Sequence, residues 1–190
     1  FNYHDQNLFD EMVQAVEDAV TAPEDKDLTV TIIKADSGEE SVPGESDECW
    51  ETGEEPEVKD VETGSGLYFY RIQAKNYGTV TGSFQVTINP AKLTVKAVTL
   101  TETTKTYDST TKIPAGNPSM DTLTVTGKVG TESITASAEA AYTSPNATEE
   151  NGAKIDIEYT ITFGDGVLPS NYTYGGTDTI TKGDQIWTFT

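Results

Sequence analysis

Apolar residues recur at three- and four-residue spacing only near the start of the chain, where Leu8, Phe9, Met12, Val13, Val16 and Val20 align beside Ala15 and Ala19. That period lays one apolar stripe along a helix. Asn7 is placed to cap it, Asp10 and Glu11 sit where the helix dipole favours anions, and Pro23 bars continuation. The stripe predicts a helix packed on a sheet.

Beyond it the period is two. Leu28–Lys34, Leu67–Ala74 and Ser83–Ile88 read as strands, and in the last of these Phe84, Val86 and Ile88 share the buried face. Asn76-Tyr77-Gly78 marks the turn before it. Asn89-Pro90-Ala91 sets a boundary, because proline removes a ladder donor and stiffens a short connection. After it only strand patterns follow: Leu93–Leu100, Leu123–Val129, Ser133–Tyr142, Lys154–Phe163 and Tyr172–Ile180. Residues 91–190 hold 23 Thr, a residue whose branched polar side chain suits an exposed strand face. The expected fold is mainly β. An N-terminal α+β module, residues 1–90, carries one helix on a small β-grasp- or Ig-like sheet. An all-β, sandwich-like module, residues 91–190, follows. Asn76-Tyr77 and Asn171-Tyr172 echo each other at an offset that suggests a tandem array, with Ile186–Phe189 either opening a third module or pairing back.

One stretch breaks the pattern. Residues 36–62 hold 12 acids and one Lys, so the segment lacks apolar surface to offset its ordering entropy and is expected to be a solvated loop, with Cys49-Trp50 as an apolar anchor. The formal charge of the 190 residues is -20, and residues 1–65 alone contribute -17. Such a field repels nucleic acid and anionic membranes. No apolar run approaches the roughly 20 residues of a membrane-spanning helix, so no membrane insertion is expected. No signal peptide is legible, and any targeting segment is expected to have been removed or to lie outside this sequence. Cys49 is the single cysteine, which excludes an intrachain disulfide.

Lys105-Thr106-Tyr107-Asp108-Ser109-Thr110-Thr111, then Leu123–Gly130, then Asn171-Tyr172-Thr173, give residues 92–182 a resemblance to the YDG-type repeat of bacterial surface adhesins. Residues 66–90 look like the end of the related MBG-type repeats. The resemblance implies extracellular, cell-wall or cell-surface attached modules in tandem, with neighbouring modules of the same chain as partners and no catalytic residues. Lys105, Tyr107, Asp108, Thr110, Asn171 and Tyr172 are its motif residues. Asp108 is expected to cap local backbone donors while the Tyr107 ring packs on the sheet. Ser109 stands where the family has Gly, so the turn is expected not to need a positive φ.

Catalytic chemistry finds little footing. His4 is the only histidine and precedes the helix, and acidic neighbours blunt the Cys49 thiol. Zinc lacks ligands. Calcium has oxygen-rich candidates at Gly164-Asp165-Gly166 and Asp47–Glu57, neither with EF-hand spacing, and no cofactor is expected. Lys92, Lys96 and Lys154 are the candidate lysines for a self-formed isopeptide bond. The favoured function is a stalk or spacer in an adhesin. The alternative is a module that itself binds host extracellular protein or glycan, for which Tyr68, Tyr70, Tyr172, Tyr174 and Trp187 are the candidate aromatic surface.

Overall fold

In the computed structural model, which describes residues 1–4, 6–20, 28–52, 54–146 and 154–174 with the backbone of 185–189, the apolar stripe becomes helix α1, Phe9–Ala19. Phe9, Met12 and Val16 are its buried positions. Asn7 does cap, from one residue further out than expected. Its Oδ1 accepts from the Phe9 N–H (3.3 Å) and from the Val58 N–H (2.8 Å), while the Leu8 N–H donates to the Val58 carbonyl (2.8 Å). The cap thus ties the helix start to a segment far along the chain.

The fold is mainly β, and the chain divides into two units, Phe1–Pro90 and Ala91–Thr190. In the first, strands β1 (Leu28–Lys34), β2 (Gly66–Ala74) and β3 (Val80–Val86) form an antiparallel sheet with β2 central. Between β1 and β2 lie two single-turn helices, α2 (Cys49–Thr52) and α3 (Val61–Gly64). Ser83, Gln85 and Thr87 are exposed while Val86 and Ile88 are buried, which is the alternation the sequence predicts. Phe1–Tyr3 runs parallel to the end of β3: the Tyr3 N–H donates to the Asn89 carbonyl (2.8 Å) and the Asn89 N–H to that of Phe1 (2.9 Å).

β2 is covered on both faces. Tyr68, Tyr70 and Ile72 alternate with Phe69 and Arg71, so the two sets point to opposite sides. On the first side Tyr68 stacks against Phe84 (ring centroids 6.0 Å apart), and Tyr70 lies so close over Gly82 that a Cβ there would overlap its hydroxyl. On the second side the Arg71 guanidinium lies 5.5 Å from the centre of the Trp50 ring and donates through both Nη atoms to Glu51 Oε1 (3.0 Å each). Trp50 is 4% exposed and its indole N–H reaches the Gly44 carbonyl at 2.8 Å. The acidic segment is therefore only partly the solvated loop expected. Residues 36–48 are largely exposed, but Trp50, Val58 and Gly64 are buried and carry the segment across the sheet.

In the second unit β4 (Ala91–Val95) lies between β5 (Val125–Thr126) and β8 (Tyr172–Tyr174), antiparallel to the first and parallel to the second. β7 (Ile155–Phe163) lies between β6 (Ile134–Tyr142) and β9 (Gln185–Phe189), again antiparallel and then parallel. The long hairpin sets small against large: Ala136 faces Ile161, Ala138 faces Tyr159 and Ala140 faces Ile157. Alanine is a poor strand former, but here it makes room for the Tyr159 ring, whose hydroxyl accepts from the Val98 N–H at 2.9 Å.

Several strands are shorter than the sequence predicts. β4 stops at Val95, and residues 96–122 run without a named strand. Asn117 organises them: its Oδ1 accepts from the Thr101 and Glu102 N–H groups (2.8 and 3.0 Å), and its Nδ2 donates to the Glu102 and Pro114 carbonyls (2.9 and 3.0 Å). β5 ends just before Gly127, which has φ +85 and sits so near the Lys92 carbonyl that no side chain fits. Residues 175–180 of the expected last strand lie outside the described residues, and a 3₁₀ turn, Pro169–Asn171, precedes β8. Residues 185–189 pair back onto β7, the second of the two readings their sequence allowed.

Because Trp50 seals one face of β2, Trp50→Ala is expected to cost about 3–5 kcal/mol. Urea unfolding of the full chain would show it, with new proteolytic cleavage confined to residues 36–62.

Candidate functional site

The resemblance motif folds into one turn held by Lys105, Asp108 and Thr110. Lys105 Nζ donates to Asp108 Oδ1 (2.7 Å), the Thr110 carbonyl (2.8 Å) and Thr110 Oγ1 (2.9 Å). Three bonds use its three ammonium protons. Asp108 Oδ1 also accepts from the Thr110 N–H and hydroxyl, both at 2.9 Å, so Asp108 caps local donors as the sequence suggests. The Lys105 ammonium rests 5.3 Å from the centre of the Tyr142 ring, a partner the motif did not reveal, and the Tyr142 hydroxyl donates to the Thr103 carbonyl (2.8 Å). The bond to Lys105, with those from Thr110, pulls the Asp108 carboxyl down to about 2.

Two expectations for this turn are corrected. The Tyr107 ring is 60% exposed and does not pack on the sheet, because the turn spends its inward positions on Lys105 and Thr110. Ser109 has φ +63, so the turn keeps the left-handed geometry that glycine would take without strain.

The second part of the motif is interior. Asn171 is 1% exposed and Tyr172 5%. The Tyr172 hydroxyl accepts from the Val129 N–H (3.0 Å) and donates to Glu132, and its ring lies against Phe163. Asn76-Tyr77 does the opposite: Asn76 has φ +70 at a hairpin tip and Tyr77 is 53% exposed. The two Asn-Tyr pairs are thus not equivalent positions.

The five aromatic candidates do not make one surface. Tyr68 and Tyr172 are core residues, and burial pushes the Tyr68 phenol up to about 12 while its hydroxyl donates to the Gly64 carbonyl (2.7 Å). Tyr70 and Tyr174 are half-buried, and the side chain of Trp187 lies outside the described residues. Tyr68 and Tyr70 also belong to the first unit, the other three to the second. Alternation along a strand cannot tell which face a neighbour covers; here Tyr68 stacks on Phe84 and bonds the Gly64 carbonyl.

His4 makes a helix-entry contact, accepting the Gln6 N–H at Nδ1 (3.3 Å) and facing Glu11 at 3.6 Å. Burial first, then the charges of Asp47 and Glu39, raise the Cys49 thiol above its ordinary value. Lys92, Lys96 and Lys154 are exposed. Gly164–Gly166 is a turn, closed by the Val167 N–H on the Gly164 carbonyl (3.1 Å), and among the described residues no group of three or more His, Cys, Asp or Glu is placed to hold a metal.

Asp108 titrates below its ordinary value of 3.8 in the folded chain, so the stability it adds is present above pH 3.8 and is lost as the pH falls towards 2. Asp108→Asn is expected to flatten the acid limb of the second unit's unfolding curve over that window, read by urea midpoints at stepped pH. Ser109→Gly removes the left-handed penalty and is expected to raise stability by about 1 kcal/mol, some 4–8 °C in Tm for a domain of roughly this size.

Compared with protein-family models, curated proteins and solved structures, the chain finds no match.

Proposed function

We propose that this segment is a structural spacer, a non-catalytic length of stalk in an extracellular, surface-attached bacterial adhesin. The observation that carries the reading is the direction of the segments that start and finish the first unit. Phe1–Tyr3 runs parallel to residues 87–89. Parallel neighbours point the same way. A unit that begins on one and finishes on the other takes the chain in at one end and passes it out at the opposite end, which suits head-to-tail stringing.

The same geometry suits load. Tension applied at Phe1 and Pro90 draws the two parallel segments past each other, so their cross-strand bonds are strained together rather than one at a time. The side-chain bonds in the second unit support this use too. Asn117, Tyr142, Tyr159 and Tyr172 each fix a backbone segment distant in sequence, and the Lys105 turn is saturated internally.

Single-molecule stretching tests the reading. In a Cys49→Ser background, the first unit pulled through its two ends is expected to unfold at a clearly higher force than when pulled through thiol handles at Glu62 and Thr87, which peel β3 from β2. Equal or lower force through the ends would remove the argument for a load-bearing spacer.

A further inference from the structure

β1 is the far edge of the first unit's sheet. β2 and β3 lie between it and Phe1–Tyr3, so the state of this edge is independent of what runs beside residues 87–89. The ladder fixes which of its backbone groups are spent. The Ala35 N–H donates to the Leu67 carbonyl (3.0 Å), and the preceding Lys34 stands opposite Tyr68. Bonded and non-bonded pairs alternate along antiparallel strands. Thr29, Thr31 and Ile33 therefore turn their N–H and C=O groups onto β2, whereas Leu28, Val30, Ile32 and Lys34 turn theirs outward. Among the described residues nothing pairs with those outward groups. Residues 36–40 do not turn back over them: they line a pocket with Gly66, Leu67 and Gln85, on the side of β2 and β3.

The edge also lacks the usual local protection against pairing. It is seven residues long, holds no proline and keeps an unbroken register from Leu28 to Lys34. Five of the seven residues are β-branched, which favours an extended neighbour. Its one charge, Lys34, is already engaged: Nζ donates to the Thr63 carbonyl and lies 5.8 Å from the centre of the Tyr68 ring. Leu28, Val30 and Ile33 are half-buried, so part of each stays open beside the edge.

Charge selects the occupant. Asp36, Glu39 and Glu40 stand exposed just past the end of β1, within 65 residues whose net charge is -17. A second copy of this chain would bring the same acidic charge to the edge. A strand with bases at its ends gains the ladder bonds and the field together.

We propose that the outer edge of β1 receives an extended segment of another protein, aliphatic or β-branched at its centre and flanked by Lys or Arg, which joins the sheet as a further strand. This goes beyond spacing and makes the first unit a docking module for a basic partner.

The probe is the peptide Lys-Lys-Val-Thr-Val-Thr-Val-Lys-Lys, titrated into the isotope-labelled full chain and followed by amide chemical shifts and hydrogen exchange. Saturable shifts are expected along Leu28–Lys34, with affinity about tenfold weaker in high salt. Exchange is expected to slow at Val30 and Ile32, whose N–H groups face outward, while Thr29, Thr31 and Ile33 are protected before any peptide is added. Thr29→Lys, at an exposed position, is expected to keep the wild-type melting temperature and weaken binding about threefold or more. A peptide N-methylated at every Val and Thr, which has no edge to pair, is expected not to bind. No saturable shift up to about 1 mM peptide overturns the proposal. Shifts centred elsewhere, unchanged exchange at Val30 and Ile32, equal binding of the methylated or of a Glu-flanked peptide, full binding by Thr29→Lys of unchanged melting temperature, or the same shifts produced by raising the protein concentration alone also overturn it.

Discussion

Two backbone hydrogen bonds, from Tyr3 to Asn89 at 2.8 Å and from Asn89 to Phe1 at 2.9 Å, join the ends of the first unit. Parallel pairing of this kind cannot be made locally; it needs the whole intervening chain to cross over first. The second unit repeats the constraint, since β4 finds β8 only after some 80 residues. Tyrosine supplies much of what bridges such separations. Tyr159, Tyr172 and Tyr142 each bury a ring and bond a backbone group 61, 43 and 39 residues away. In a chain only 35% hydrophobic, a side chain that fills the core and also satisfies an irregular segment does two jobs in one volume.

The same scarcity explains the first unit's acidic segment. A central strand with Phe69 and Arg71 on one face and Tyr68 and Ile72 on the other needs cover on both sides, and one helix covers one. The segment between β1 and β2 supplies the second cover with few apolar residues, chiefly Trp50 and Val58. Arg71 is the price of that economy: 6% exposed, with its Nε lacking a partner among the described residues, it is a buried cation held by the 73% exposed Glu51 and the Trp50 ring.

What could be read in the sequence follows from these facts. The helix and the strands around Leu28–Lys34, Ile134–Tyr142 and Ile155–Phe163 were legible because each presents one buried face, and a single period records it. Tyr68 as core was not, because a strand buried on both faces shows no alternation. Tyr107 and Ser109 depart from expectation for another reason: the turn is set by the Lys105 ammonium and by Asp108, and its backbone angle follows from those bonds rather than from residue preference. Asn117 sits in Pro114-Ala-Gly-Asn-Pro118, a turn by composition, yet its bonds to Thr101 and Glu102 depend on those residues arriving beside it. Of the resemblance motif, Lys105, Asp108 and Thr110 meet in space and take Tyr142 as a partner from outside it, whereas Tyr68 and Tyr172, two of the aromatic candidates for a binding surface, belong to interiors.

The uneven charge then acquires a structural reason. A protein of small sheets must keep its edges from pairing with those of other copies. The second unit does so with its own chain: the Leu123, Ala138 and Tyr142 N–H groups bond to Ala136, Met120 and Thr111, laying residues 111–123 along β6, and its strands β5 and β8 are only two and three residues long. In the first unit, by contrast, β1 and β3 are seven-residue strands at the two sides of the sheet. That is the unit holding nearly all the excess acid, and like charge on every copy opposes edge-to-edge approach over a Debye length of about 8–10 Å. Repulsion of this kind is selective by sign. It opposes the approach of another copy to the sheet of the first unit, so the carboxylates do by repulsion what the second unit does with its own backbone.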